Sequence, residues 1–350
     1  MKGACSSIVK YNKNLLEDYM QTLIEYGIAF IIALQGIGDW LIAPMRLFSY
    51  LGNEEFFFLV LPLIYWCIDS ALGLRVGFIL VTSGMVNYVG KLLFIGPRPY
   101  WVNSHVRALW TTETTFGIPS GHAQHAVAVW GMIAAYLKRT WVWVAAIAII
   151  FLIGFSRMYL GAHFPHDVVF GWFLGAVVLW AFTRFWEPVG AWVRTKTLNH
   201  QIFIAFIVSL IFVMIGLGVA TFRDGYQIPE TWTSNAILAN ADVPAPIDPN
   251  SIFTSAGTFF GLAVGAAWIM SIGGYQASGP IQKRAIRYVI GVIGVLVLWQ
   301  GLGAVLPRGD GFIFYGLRFI RYALVGWWVS GGAPWIFMRF KLAERGISSI

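Results

Sequence analysis

Positively charged residues lie at the edges of apolar segments at three positions, Lys91, Arg98 and Arg157. A charge at the boundary of a membrane is costly unless it has a partner. Phosphate is the partner that this set indicates, because the planar fork of arginine matches the oxygens of a phosphate group. The sequence therefore predicts that a polyanion binds between the three cations.

A second stretch suits the same anion. The run Pro119-Ser120-Gly121-His122 is typical of a turn that leads into a helix, with Ser120 at the N-cap. The free N–H groups and positive dipole end of a helix N-terminus bind phosphate. Gly121, which has no side chain, allows close approach of the backbone to the anion.

Histidines in these stretches add reactivity. An imidazole can act near neutral pH as a nucleophile or as a general acid and base, which makes His122 and His163 candidates. Asp167 follows His163 by four residues, near the predicted start of a helix. A carboxylate on one ring nitrogen fixes the tautomer and leaves the other nitrogen free to attack. The set indicates phosphoryl transfer by side chains alone.

The composition indicates where these residues must lie. Of the 350 residues, 58% are apolar and only 11% are charged, and the mean hydropathy is +0.70. A soluble domain carries about 25% charged residues. This excludes a soluble enzyme, a disordered chain and a nucleic-acid-binding protein, and it makes membrane lipids the surroundings. The net charge of +8 then reflects basic cytoplasmic loops.

The predicted fold is all-α, a polytopic integral-membrane helix bundle of about nine transmembrane helices. Segments near the roughly 20 residues needed to cross a bilayer recur along the chain. Ahead of them, Leu15–Leu51 mixes apolar and acidic residues and predicts one or two interfacial helices, with a short span at Gly27–Gly38 as the alternative. The nine predicted spans are Phe56–Leu72, Val76–Phe94, Ala123–Leu137, Trp141–Phe155, Val168–Phe185, Ile202–Phe222, Ile252–Ile272, Tyr288–Leu306 and Phe312–Phe337.

Loop charges predict the orientation. Twelve of the 24 basic residues fall in the loops after spans one, three, five and seven and in the C-terminus, which places these segments in the cytoplasm. The three reactive stretches then share the extracytoplasmic face. We expect N-terminal interfacial helices in residues 1–52, a five-span catalytic core in residues 53–187, and four further spans of the same domain in residues 188–350. On span five, Gly171 and Gly175 predict a close helix contact.

The three stretches together resemble the signature of the type 2 phosphatidic acid phosphatase (PAP2) superfamily, K-x6-R-P, P-S-G-H and S-R-x5-H-x3-D. The resemblance spans about Lys91 to Asp167 and the five-span core around it. The matching residues are Lys91, Arg98, Pro99, Pro119, Ser120, Gly121, His122, Ser156, Arg157, His163 and Asp167.

This resemblance implies a role for each position. His163 attacks phosphorus and forms a phosphohistidine, Asp167 orients His163, and His122 protonates the leaving alkoxide and later activates water. The resemblance implies a metal-independent reaction without a cofactor. The groups that stabilise the transition state would be Lys91, Arg98, Arg157, the Ser120 hydroxyl and the Gly121 N–H.

Other runs resemble the membrane glucose-6-phosphatase branch, among them Phe94–Trp101, Ser156–His166 and Gly257–Leu262. The layout also resembles that of sphingoid-base-phosphate phosphatases. Asp167 departs from the animal glucose-6-phosphatase pattern, in which Gln follows the second histidine of the run. The substrate is therefore open: a lipid phosphate or diphosphate is favoured, because membrane helices allow lateral access, and a sugar phosphate is the alternative.

Other interpretations of the same residues are weaker. A transporter would scatter polar residues through several spans, whereas here they gather at one face. A vanadium haloperoxidase shares the anion pocket but is soluble. A metal cluster of histidines with Asp167 would leave three cations beside another cation. We expect His125 and His166 to lie outside the catalytic set.

Overall fold

The computed structural model describes residues 20–307 and 309–346, and within them the regular structure is entirely helical. We number the helices in chain order. They are α1 (Met20–Gln35), α2 (Ile42–Tyr50), α3 (Glu54–Leu63), α4 (Ser70–Phe94), α5 (Pro99–Val102), α6 (Gly121–Leu137), α7 (Thr140–Tyr159), α8 (Pro165–Arg194), α9 (Leu198–Phe222), α10 (Glu230–Leu238), α11 (Asn250–Ser271), α12 (Ile281–Leu296), α13 (Leu302–Val305), α14 (Phe312–Trp327) and α15 (Ala333–Arg339).

Six helices are long and apolar enough to cross a membrane, or seven if the bent pair α1 and α2 forms one broken span. The predicted all-α, multi-pass membrane fold is confirmed, whereas the count of nine is not. Predicted spans one and three correspond to the shorter helices Phe56–Ile68 and Gly121–Leu137. The ninth is one helix with right-handed dihedral angles that runs from Phe312 through the π-helical turn Trp328–Gly332 to Arg339, and it is not among the six.

Asp69 explains why the first two predicted spans have the wrong boundaries. Its backbone is extended, with φ −152° and ψ 115°, so the preceding π-helical turn Ile64–Ile68 ends there. Its side chain accepts a hydrogen bond from the Leu72 N–H and thus caps α4. Helix α4 therefore begins at Ser70, six residues before the predicted start.

The N-terminal region forms two helices, α1 and α2, that meet at 91°. The first residues of the predicted segment Leu15–Leu51 lie outside the described residues. Both helices reach the reactive stretches: a Cβ at Gly27 on α1 would strike the Phe164 ring, and Ser49 Oγ on α2 accepts a hydrogen bond of 2.7 Å from Arg157 Nη1. These helices therefore form one wall of the candidate site.

Helix α4 lies at the centre and packs against α6, α8, α9 and α11. The predicted close contact on span five is confirmed, because Gly171 and Gly175 bring α8 against α6. A Cβ at Gly171 would lie 2.6 Å from the carbonyl oxygen of Ser120, the N-cap of α6. A Cβ at Gly175 would lie 2.6 Å from the carbonyl oxygen of Gln124 on α6. This approach fixes the start of α6, where His122 lies, relative to α8.

The later helices are held together by a second glycine stripe. Helices α11 and α14 share an extensive contact, and Gly257, Gly261 and Gly265 lie along it at four-residue intervals. A Cβ on Gly261 would overlap the carbonyl oxygen of Ala323 on α14. Small residues allow backbones to approach closely in membrane bundles, where lipid supplies no hydrophobic drive between helices.

We predict that Gly261→Ala destabilises the protein by about 1–3 kcal/mol, because the added methyl must push α14 away. Thermal unfolding in detergent measures this change. Gly218→Ala on α9 is the matched control, because a Cβ there meets nothing within 4 Å. Alanine favours a helix over glycine, so this control should melt at or slightly above the wild-type temperature. Equal melting of the two variants would contradict the packing account.

Candidate active site

The three reactive stretches meet at one end of the bundle. The ends of α4 and α7 carry Lys91 and Arg157, the starts of α6 and α8 carry His122 and Asp167, and the connecting segments supply the rest. Most of these side chains are buried, with His163 and Asp167 each only 1% exposed. The residues that the structure brings together are Lys91, Arg98, Ser120, Gly121, His122, Arg157, His163 and Asp167.

The His163 ring lies between a carboxylate and a guanidinium. Its Nδ1 is 3.4 Å from Asp167 Oδ2, and its Nε2 is 3.3 Å from Arg98 Nη1. The same Asp167 oxygen accepts a hydrogen bond of 2.9 Å from the Phe164 N–H and so also stabilises the start of α8. The helix start thus holds the carboxylate that faces His163.

Burial lowers the pKa of His163 below its ordinary value, and the nearby charges of Arg98 and Arg157 lower it further. The ring is therefore neutral at neutral pH. Because Nδ1 faces a carboxylate, the proton is best placed on that nitrogen, which leaves the lone pair on Nε2. A neutral Nε2 beside cations is suited to attack an anion that those cations hold.

Ser120 occupies the N-cap position of α6, as predicted, but its hydroxyl makes no capping hydrogen bond. Its backbone N–H donates to the Asp167 carbonyl oxygen at 3.0 Å, which ties α6 to α8. Packing against α4 also favours glycine at position 121, because a Cβ there would lie only 3.1 Å from Asn87 Oδ1.

Three buried atoms of the site that can donate a hydrogen bond have no partner among the described residues: Ser120 Oγ, His122 Nε2 and Arg157 Nε. Buried polar groups are almost always paired, and leaving one unpaired costs about 1–3 kcal/mol. The three atoms come from the N-cap of α6, from α6 and from α7. They are the groups that a ligand with several oxygen atoms would satisfy.

Glu113 is the residue that the sequence interpretation overlooked. Its Oε2 accepts a hydrogen bond of 2.9 Å from Arg98 Nη2, its Oε1 pairs with Arg157 Nη2, and Oε1 lies 3.9 Å from His122 Nδ1. The expected partner of the cations was a bound polyanion, but in the structure a carboxylate of the chain takes this position. The available signal was that Glu113 is the sole acidic residue between Pro99 and Ser120.

Glu113 is ionised in this position. Burial by itself raises the pKa of its carboxyl group, but the charges of Arg98 and Arg157 outweigh this effect and hold the pKa well below its usual range. Its side chain is 16% exposed, whereas those of Arg98 and Arg157 are fully buried. The carboxylate therefore lies at the outer edge of the cation cluster.

The residues after Glu113 bind the remaining cationic groups. Lys91 Nζ donates to Thr115 Oγ1 at 2.8 Å and to the Phe116 carbonyl oxygen at 2.6 Å. Arg98 Nε donates to the Thr115 carbonyl oxygen at 2.7 Å. The Arg157 guanidinium lies over the Trp110 ring, 5.2 Å from its centroid. One loop thus contacts all three cations.

His125 and His166 have surroundings separate from those of His122 and His163. His125 Nδ1 is 2.9 Å from Ser83 Oγ on α4, away from the cation cluster. His166 stacks on Phe164 with ring centroids 5.1 Å apart, and its Nε2 lies 3.3 Å from Asp167 Oδ1. No group of three His, Cys, Asp or Glu side chains in the described part of the chain could hold a metal ion.

Comparison with protein families gives two matches that together cover most of the bundle. Residues 72–191 match the PAP2 superfamily. Residues 253–345 match the transmembrane extension of PAP2 superfamily phosphatases. The first match contains all eight predicted site residues, and the second contains α14 and the glycines that contact it.

Individual relatives extend over nearly the whole chain. Glucose-6-phosphatase catalytic subunit 1 of Rattus norvegicus is 27% identical over 345 residues, which cover 89% of this chain and 93% of that protein. Glucose-6-phosphatase 3 of Bos taurus is 30% identical over 188 residues, or 47% of this chain and 54% of the relative.

A solved structure was also found, that of a transmembrane PAP2-type phosphatidylglycerolphosphate phosphatase from Bacillus subtilis. It is 27% identical, covers 47% of this chain and 86% of its own, and superposes with a TM-score of 0.41. The two family matches and the relatives agree with the signature in the sequence. The chain belongs to the PAP2 superfamily and carries the transmembrane extension of PAP2 superfamily phosphatases.

Proposed function

We propose that the protein hydrolyses a phosphomonoester through a phosphohistidine formed on His163. The observation that carries this proposal is the position of the His163 ring, with Nδ1 facing Asp167 and Nε2 facing Arg98. The nucleophilic nitrogen therefore points toward the groups that would hold the phosphate. A neutral, oriented imidazole beside an anion-binding cluster is the arrangement that nucleophilic phosphoryl transfer needs.

The first step forms a bond between His163 Nε2 and phosphorus and breaks the bond from phosphorus to the ester oxygen. The leaving alkoxide takes the Nε2 proton of His122, which enters this step doubly protonated and leaves it neutral; this Nε2 has no hydrogen-bond partner in the described structure. In the second step a water molecule attacks the phosphohistidine and gives a proton to His122. This step restores both histidines and releases inorganic phosphate.

The cations stabilise the charge that develops on the phosphoryl oxygens. Lys91, Arg98 and Arg157 would surround the three equatorial oxygens, and the two unpaired atoms Ser120 Oγ and Arg157 Nε would donate to them. Such groups are already oriented before the reaction, so they cost little reorganisation in the transition state. The loss of one good donor typically slows a reaction by about 10²–10³.

We infer an extracytoplasmic active site and a cytoplasmic C-terminus. The support is the clustering of basic residues in the loops at the far end of the bundle from the site, together with the positive-inside rule. A Cys placed in the loop between α9 and α11 should then react with an impermeant thiol reagent on intact cells.

For the substrate we propose a small phosphorylated sugar, the alternative in the sequence interpretation, ahead of a lipid phosphate. The glucose-6-phosphatase relatives align over 89% of the chain, far beyond the shared signature. The more exposed side chains of the site include Glu113 and His122, at 16% and 13%. Glu113 lies in the loop between α5 and α6 and His122 at the start of α6, which favours a ligand arriving from water.

We predict that His163→Ala lowers phosphate release by at least about 10³-fold, because the variant lacks the imidazole on which the proposed covalent intermediate forms. The assay is inorganic phosphate released in detergent from each of several esters. His105→Ala is the control, since His105 is exposed in the loop after α5. Turnover by His163→Ala comparable to that of the control would remove the proposed nucleophile.

A substrate panel tests the proposed class of ester. Glucose 6-phosphate, phosphatidate, a sphingoid-base phosphate and undecaprenyl diphosphate should be compared at equal concentration in the same detergent. We expect the largest kcat/KM for the sugar phosphate, because its phosphate can enter from the aqueous side. A larger value for either lipid phosphate would overturn the substrate class but leave the reaction intact.

A further inference from the structure

Glu113 binds where the proposed phosphate would bind. Its two oxygens are divided between Arg98 and Arg157, and Oε1 also lies 3.9 Å from His122 Nδ1. Carboxylates and phosphates present arginine with the same pair of acceptor oxygens. The Glu113 carboxylate and a phosphate cannot both occupy this position, because both need the same N–H groups of Arg98 and Arg157. A phosphate that binds here must displace the Glu113 side chain.

The displaced carboxylate has a second partner close by. His122 Nδ1 lies 3.9 Å from Glu113 Oε1, while His122 Nε2 has no partner among the described residues. A carboxylate on Nδ1 would orient the ring and stabilise its protonated form, with Nε2 toward the leaving group. Asp167 stands in the same relation to His163.

The loop that carries Glu113 is held from outside the catalytic half of the chain. The Asp242 N–H donates to the Thr111 carbonyl oxygen at 2.9 Å, and the Ala245 N–H donates to the Thr114 carbonyl oxygen at 3.0 Å. These two hydrogen bonds lie on either side of Glu113. We call residues 241–249 the strap.

The strap is a stiff element with few donors of its own. Pro244, Pro246 and Pro249 fix their φ angles and have no N–H group, so little conformational freedom is lost when the strap pairs with the loop. Helix α10, just before the strap, is anchored on α5, where Asn235 Nδ2 donates to the Trp101 carbonyl oxygen at 2.9 Å and Trp232 stacks on Trp101. Together with the Tyr100 hydroxyl, which donates to the Glu113 carbonyl oxygen at 3.2 Å, the strap limits how far Glu113 can move.

We propose that Glu113 is a positioning residue with two places: it balances the cations in the free enzyme, and it pairs with His122 once a phosphate has displaced it. The strap keeps the carboxylate within reach of both. This inference rests on the proposed function and deepens it, because it assigns to the segment between α9 and α11 a part in phosphate binding and in proton transfer.

Two opposite effects of one substitution follow from this exchange. Glu113→Gln keeps the size of the side chain but removes the competing charge, so inorganic phosphate and vanadate should bind about tenfold more tightly. The same variant cannot stabilise protonated His122, so kcat should fall by roughly 10- to 100-fold. A purely structural role for Glu113 would weaken both phosphate binding and turnover.

The measurements are the inhibition constant of phosphate, the kcat for glucose 6-phosphate, and the increase in melting temperature that phosphate causes in the full-length protein. The increase in melting temperature can be measured without turnover. If phosphate stabilises the wild-type protein but the protein has no phosphatase activity, the proposed function is wrong and the role of Glu113 in phosphate binding can still be tested. Glu113→Gln with unchanged or weaker phosphate binding, or with unchanged kcat, overturns the role assigned to Glu113.

A second variant tests the strap and does not depend on how Glu113→Gln folds. Ala245→Pro removes the N–H that binds Thr114, and it should tighten phosphate binding several-fold, because Glu113 is held less well in the pocket. Val243→Pro is the matched control, since the Val243 side chain is exposed and the two strap hydrogen bonds come from its neighbours.

In the Glu113→Gln background, Ala245→Pro should have no further effect on phosphate binding, because no competing charge remains to be released. Phosphate binding by Ala245→Pro that equals that of the wild type would overturn the role of the strap. The same conclusion would follow if the effects of Ala245→Pro and Glu113→Gln on phosphate binding were additive.

Discussion

Three cations buried beside one another are the constraint on which the site depends. Two like charges about 6 Å apart repel by about 3 kcal/mol at an effective dielectric near 20, and burial adds a desolvation cost. An anion must therefore be present at all times. In the described structure Glu113 is that anion, and during the proposed reaction the substrate phosphate takes its place.

The rest of the fold holds the cations against this repulsion. Helix α4 carries Lys91 and packs against four neighbours, and glycines on α8 allow α6 to approach so closely that the Ser120 N–H bonds to the Asp167 carbonyl. The later helices contribute through their own glycine stripe and through the strap. Anion binding and helix packing are thus coupled, because the residues that bind the anion lie at the helix ends.

The eight predicted site residues, which the structure brings together, could be found from the sequence because their types and spacing are local properties of short motifs. Glu113 could not, since a single carboxylate in an irregular loop has no periodicity, and only the folded chain brings it to Arg98 and Arg157. The helical membrane fold followed from composition. The span count did not, because hydropathy does not record where Asp69 breaks a helix, and because predicted spans one and three correspond to helices shorter than 18 residues.

The most direct test is an experimental structure of the protein with vanadate, which adopts the geometry of a phosphoryl group in transfer. The account predicts vanadium within bonding distance of His163 Nε2, with its oxygens on Lys91, Arg98 and Arg157 and with Glu113 moved out to His122. Vanadate bound elsewhere, with Glu113 still between the two guanidinium groups, would contradict it.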